Sequence, residues 1–149
     1  MLPVLKITAF LLWVNLLPPL AGQIWGARFN RTIDEQLKLP SPLFGPHKTI
    51  RGILASLAGG TAVFPLVGVP WWVAGIVSLL AMAGDLATSF SKRRLGISSG
   101  RDVILLDQLM ESLFPALFLG AYLHMPPWQI LASVLSFIPL ASSETRHSM

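Results

Sequence analysis

WWVAGIVSLLAMAGDLATSFSKRR, residues 71–94, runs apolar from its tryptophan pair to a glycine and an aspartate and then ends on three consecutive bases. A helix needs about 20 mostly apolar residues to cross the hydrocarbon core of a bilayer, and this stretch predicts such a span over 71–90. Trp71 and Trp72 suit a membrane–water interface at one end, and Lys92, Arg93 and Arg94 suit the cytoplasmic surface at the other. Pro70 marks a tight turn before it.

The same pattern recurs to either side. Residues 2–21 form a first apolar block. It holds only Lys6 near its start, and Asn15 and Pro18-Pro19 interrupt its end, so it is read as a span and not as a secretory signal. Residues 49–69 form a second block, in which Gly52, Ser56 and Gly60 repeat every four residues and share one helical face. Small residues at that spacing let a neighbouring helix approach closely. Blocks at 103–122 and 128–141 complete the set, separated by Met125-Pro126-Pro127 and by Trp128 at an interface. Residues 23–48 are polar and rich in proline and predict a loop with little room for a long helix. Residues 91–102 predict a second loop, and residues 142–149 a loose polar tail.

Composition agrees with this division. Of 149 residues 53% are hydrophobic and 12% charged, against about a quarter charged in an ordinary soluble domain, and mean hydropathy is +0.64. The expectation is an all-α polytopic bundle of about five transmembrane helices, residues 1–149 forming a single membrane domain. The net charge of +4 and a pI near 10.1 raise the question of nucleic acid. The bases lie in loops, however, where the positive-inside rule accounts for them, and no nucleic-acid partner is expected. With no cysteine, disulfides and thiolate metal sites are excluded. His47, His124 and His147 have no ligand spacing and are read as isolated loop residues.

The bases also set an orientation. Arg28, Arg31, Lys38, Lys48 and Arg51 lie in or beside the first long loop. Lys92, Arg93, Arg94 and Arg101 lie in the second, and Arg146 is in the tail. Five spans put all of these on one side, with Lys6 alone outside the pattern. That predicts a multi-pass protein of the cell membrane with its N-terminus outside and its C-terminus in the cytoplasm.

Carboxylates inside such spans are costly, roughly 2.5–3.5 kcal/mol at a helix centre on insertion scales, and tend to be functional. Asp85, Thr88, Ser89 and Lys92 follow i, i+3, i+4, i+7 spacing and form one polar stripe on the third block. This stripe equally describes an Asp85–Lys92 ion pair that only stabilises the bundle. In the fourth block Asp107 and Glu111 stand at i and i+4, where two like charges repel unless a cation lies near them. Carboxylates on two helices beside Lys48, Arg51, Lys92, Arg93 and Arg94 describe a metal–phosphate site of the kind that takes a nucleoside triphosphate.

At these residues the chain resembles the CDP-archaeol synthases, archaeal-type relatives of phosphatidate cytidylyltransferase. The resemblance is carried by Gly84-Asp85 through Lys92-Arg93-Arg94-Leu95-Gly96-Ile97, by Leu105-Leu106-Asp107-Gln108-Leu109, by His47-Lys48-Thr49-Ile50-Arg51-Gly52, and by Asn15 with the prolines after it. It implies transfer of CMP from CTP to a lipid phosphate, with release of pyrophosphate and with Mg2+ as cofactor. On that resemblance Asp85, Asp107 and Lys92 are catalytic, and Asp85, Asp107 and Glu111 hold metal. Lys48, Thr49, Arg51, Ser89, Arg93, Arg94 and Asn15 bind CTP or the lipid phosphate. CTP, the lipid phosphate and membrane lipids are the implied partners, and a homodimer is compatible with the pattern. One position departs from it. The second segment usually carries another aspartate three residues after the first, and Met110 stands there, followed by Glu111. The departure favours one alternative, a non-catalytic relative that binds lipid or nucleotide. A transporter needs its charges near mid-membrane, and a CDP-alcohol phosphotransferase needs an Asp-Gly-x-x-Ala-Arg motif, which is absent.

Overall fold

The computed structural model describes residues 2–28, 30–41, 43–97 and 104–147, with side chains at all of these except 104–106 and 140–147. The described residues are helical apart from loops and one isolated bridge. The helices are α1 (Leu2–Trp25), a single turn α2 (Ile33–Gln36), α3 (Ile50–Val63) continued by a 3-10 turn (Phe64–Val67), α4 (Trp71–Arg94), α5 (Ile104–Tyr122) and α6 (Pro127–His147). The most extensive contacts are those of α4 with α5 and of α1 with α3, and α6 packs on both α5 and α1. The core lies where α1, α4, α5 and α6 converge, around Phe10, Leu11, Val77, Leu119 and Phe137. Leu54, Leu66, Leu79 and Leu131 face outward. Among the described residues three helices are long and apolar enough to cross a membrane: Leu2–Trp25, Ile50–Val67 and Trp71–Arg94. A shorter apolar helix runs Pro127–Pro139.

The small-residue stripe of α3 faces α1 as its spacing predicts. A Cβ on Gly52 would lie 3.1 Å from the Pro18 Cβ, and one on Gly60 would lie 3.0 Å from Val14 Cγ2. Ser56, fully buried between them, donates its hydroxyl to the Val14 carbonyl at 2.8 Å. That bond explains how α1 continues through Pro18 and Pro19 instead of ending there. Proline has no N–H to give to the carbonyl four residues back, and for Pro18 that carbonyl belongs to Val14. The Ser56 hydroxyl supplies the missing donor from the next helix, one of the ways a proline is accommodated in a membrane helix.

Several boundaries move outward from those read in the sequence. The bases Lys92, Arg93 and Arg94 lie within the last turn of α4, where cations meet the negative end of the helix dipole, and not in a loop. The tail read as loose from Ser142 onward is helical to His147. The loop read over 23–48 is folded. Thr32 caps α2 with a full capping box and bridges to Thr49. Residues 98–103, including Arg101, lie outside the described residues.

Candidate active site at the basic end of the bundle

Lys48 precedes the first turn of α3 and is held from both sides. Ile33 N–H donates to the Lys48 carbonyl at 2.9 Å and Ile50 N–H donates to the Arg31 carbonyl at 3.2 Å. Thr49 is the N-cap of α3 and accepts from Gly52 N–H at 3.2 Å. So fixed, the Lys48 ammonium pairs with Asp85 on α4. Two turns further along α4, Lys92 pairs with Asp107 at the start of α5. Each salt bridge therefore crosses between elements, and all four side chains remain partly exposed.

Asp85, Ser89 and Lys92 line one cavity of about 200 Å³ together with Phe44, His47, Lys48, Arg93, Ile97, Asp107 and Glu111. Three acidic side chains thus share this cavity with Lys48, Lys92 and Arg93. Gly84 lets α4 and α5 approach closely next to this cavity. A Cβ there would run into the Met110 carbonyl and lie 3.2 Å from Glu111 Cα, so α4 and α5 touch backbone to backbone next to Asp85. That contact places Glu111 beside Asp85 in the cavity wall. Thr88, although spaced to join the polar stripe, is buried and donates to the Gly84 carbonyl at 2.7 Å, the back-bond that threonine commonly makes inside helices.

These carboxylates offer only hard oxygen donors, which suit a cation such as magnesium that takes its remaining ligands from water and phosphate. Among the described residues no group of three or more acids, histidines or cysteines converges as a metal cage. Two of the three acids already face ammonium groups, in the Lys48–Asp85 and Lys92–Asp107 pairs.

The model of one protein family, described as CarS-like, CDP-archaeol synthase, matches residues 48–142. The chain belongs to this CDP-archaeol synthase family. The match begins at Lys48 and takes in both Lys–Asp pairs. Among curated relatives, the CDP-archaeol synthase of Aeropyrum pernix is 42% identical over 91 residues, covering 54% of this chain and 51% of that protein. The one from Sulfurisphaera tokodaii is 44% identical over 72 residues, 45% of this chain and 43% of the relative. The one from Thermofilum pendens is 32% identical over 102 residues, 66% of this chain and 50% of the relative. The matches span about half the length of these CDP-archaeol synthases. A solved intramembrane enzyme for archaeal membrane lipid biosynthesis superposes with a TM-score of 0.71 at 30% identity, over 91% of this chain and 90% of that one. With its long apolar helices, this member of the CDP-archaeol synthase family is a membrane protein.

Of the site residues read from the CDP-archaeol synthase resemblance, the structure brings Asp85, Asp107, Glu111, Lys48, Lys92, Ser89 and Arg93 together. Four others sit elsewhere. Thr49 is occupied as a helix cap. Arg51 turns to the far side of α3, where its Nη1 donates to the Gly26 and Arg28 carbonyls and its Nη2 to Asn30 Oδ1. Arg94 lies over the Phe90 ring, 5.3 Å from its centroid. Asn15 is inside α1, away from the cavity lining, and its buried Nδ2 has no hydrogen-bond partner. In turn the cavity includes Phe44 and His47. His47 reads as an isolated loop histidine, and its place directly before Lys48 is the signal that could have marked it.

Proposed function

We propose that this chain is a CTP-dependent cytidylyltransferase that makes a CDP-activated lipid from a lipid phosphate of the CDP-archaeol or CDP-diacylglycerol type and releases pyrophosphate. The observation that carries the reading is the crossed arrangement of Lys48–Asp85 and Lys92–Asp107 in one cavity with Arg93 and Glu111. Without substrate the carboxylates are neutralised by the lysines. A triphosphate arriving with its cation offers each side a better partner. The ammonium groups of Lys48 and Lys92 turn to phosphate oxygens, joined by the Arg93 guanidinium; Asp85 and Asp107, with Glu111 beside them, are the residues that would hold Mg2+. Bound magnesium would supply charge neutralisation and a template for the triphosphate. The lipid phosphate oxygen attacks the α-phosphorus of CTP, the bond from that phosphorus to the bridging oxygen breaks, and the electron pair leaves on pyrophosphate. Lys48, Lys92 and Arg93 stabilise the charge that develops on the leaving group.

The orientation that serves this chemistry puts the cavity at the cytoplasmic face of the cell membrane, with five spans, the N-terminus outside and the lipid entering from the inner leaflet. The bases gathered at the cavity end support it. Glu111 in the cavity wall favours an active enzyme over a binding-only relative, because a third carboxylate is present despite Met110.

The test is purified protein in detergent given Mg2+, labelled CTP and a panel of lipid phosphates with ether- and ester-linked chains. A labelled CDP-lipid is expected. Asp85→Asn and Asp107→Asn should each lower turnover by about a hundredfold or more, the scale of removing one charge-stabilising group from a reacting centre, while the protein still purifies as a folded species. No product with any lipid, or full activity in both variants, would overturn the reading.

A further inference from the structure

The best-bonded carboxylate in the described residues lies outside the cavity. Asp34, in α2, accepts from three successive backbone N–H groups. Its Oδ1 takes Leu43 at 3.1 Å and Phe44 at 3.1 Å, and its Oδ2 takes Phe44 at 3.2 Å and Gly45 at 2.7 Å. A segment with no helix or strand ladder must satisfy its N–H groups some other way, and here one side chain does it. Gly45 has φ +94°, and a Cβ on it would lie 3.0 Å from Arg93 Nε and Cζ, so the segment presses its bare backbone against that guanidinium. The Phe44 ring lies 6.3 Å from the Phe90 ring and, like His47, forms part of the cavity wall. One residue before Asp34, Ile33 anchors the Lys48 carbonyl. The short stretch 32–34 therefore grips both ends of 43–48, the segment that supplies Phe44, His47 and Lys48 to the site.

The geometry points to Asp34 as a positioning residue for the nucleotide: by holding residues 43–45 it sets Phe44, His47 and Arg93 around the place where the triphosphate binds. Asp34 touches no substrate itself. This inference rests on the reading of the cavity as a CTP site and adds a residue that acts on affinity for CTP through the loop. Asp34→Ala frees three N–H groups and lets the loop leave Arg93. Asp34→Asn keeps Oδ1 as an acceptor but turns a donor toward the Gly45 N–H. The Arg93 and Lys48 side chains remain in both variants, so the loss falls on binding more than on the chemical step.

The experiment is equilibrium binding of labelled CTP with Mg2+ to the full chain in detergent, with thermal unfolding on the same samples. Asp34→Ala should weaken CTP binding about tenfold or more and Asp34→Asn by a smaller factor, with little change in unfolding temperature. Glu35→Ala, which breaks the capping box of the same helix and leaves the Asp34 bonds in place, should stay within about twofold of wild type in affinity. Where the wild type turns over, Asp34→Ala should raise KM for CTP by the same factor, with kcat within about threefold. Wild-type affinity in Asp34→Ala, or an equal loss in Glu35→Ala that tracks unfolding temperature, would overturn the inference. Wild-type protein that binds CTP but forms no CDP-lipid would sink the proposed activity and leave the Asp34 result standing on binding alone. Wild-type protein that binds no CTP would remove both.

Discussion

The α1–α3 and α4–α5 contacts use the same device for opposite ends. In both, a glycine lets two helices meet closely: Gly52 of α3 against α1, with Gly60 set between Val14 of α1 and Ser78 of α4, and Gly84 of α4 against the Met110 carbonyl of α5. Along α1–α3 the polar groups between the glycines are consumed inside the contact, with Ser56 spending its hydroxyl on Val14. Along α4–α5 the residue next to the glycine is Asp85, and the close approach leaves its carboxyl facing Lys48, Glu111 and open space. A tight helix contact is thus neutral about function. What decides between a dry seam and a reactive cleft is whether the flanking polar groups are used up within the two helices or also reach partners outside them.

The sharpest way to break the comparison is to add the same bulk on each side. Gly84→Val forces α4 and α5 apart beside Asp85. Overpacking of this kind costs about 1–3 kcal/mol, and misplacing a reacting group by about 1 Å costs on the order of a hundredfold in rate. Gly60→Val meets Val14 and Ser78 and should lower the unfolding temperature in detergent by a similar amount, while the folded fraction keeps nearly normal turnover. Equal turnover in the two variants would mean that the Gly84 contact is only another seam.

The α3 glycines were legible, because a repeat of four residues places side chains on one helix face with no knowledge of the neighbours. The same periodicity put Asp85, Ser89 and Lys92 together and paired Asp107 with Glu111. It failed where the outcome depends on a partner distant in the chain. Arg51 follows the motif of Lys48 and Thr49, yet its side chain is captured by carbonyls of residues 26 and 28 on the other side of α3. Asp34 reads as one polar residue among many in a loop, and only the return of residues 43–45 gives it a role. Pro18-Pro19 reads as the end of a helix, because the Ser56 donor that keeps Val14 satisfied is 42 residues away in sequence.

A smaller effect sharpens the seam side. Ser56→Ala should leave the Val14 carbonyl unpaired between two helices and lower stability by about 1–3 kcal/mol, the penalty for a buried polar group without a partner. In a Pro18→Ala background the helix recovers its own N–H donor at that carbonyl, and Ser56→Ala should then be nearly neutral. Unfolding of the four proteins in one detergent measures the coupling. Strict additivity of the two substitutions would show that Ser56 packs against α1 without substituting for the bond that Pro18 removes.

The smallest expected effect is at Met110. The resembled pattern places an aspartate there, which suggests that Met110→Asp should restore lost activity. The geometry argues otherwise. Met110 turns its carbonyl to Gly84 and its side chain is absent from the cavity lining, whereas Glu111, one turn of helix after Asp107, stands in the wall beside Asp85. An acid at 110 therefore adds a third acidic residue to α5 without adding one to the cavity, and turnover should stay within about twofold of wild type. Glu111→Gln, which keeps the shape and removes the acid, should cost about tenfold or more in kcat if Glu111 contributes in the transition state. A several-fold gain from Met110→Asp together with an inert Glu111→Gln would assign the third carboxylate to position 110 and make Glu111 part of the seam instead of the cleft.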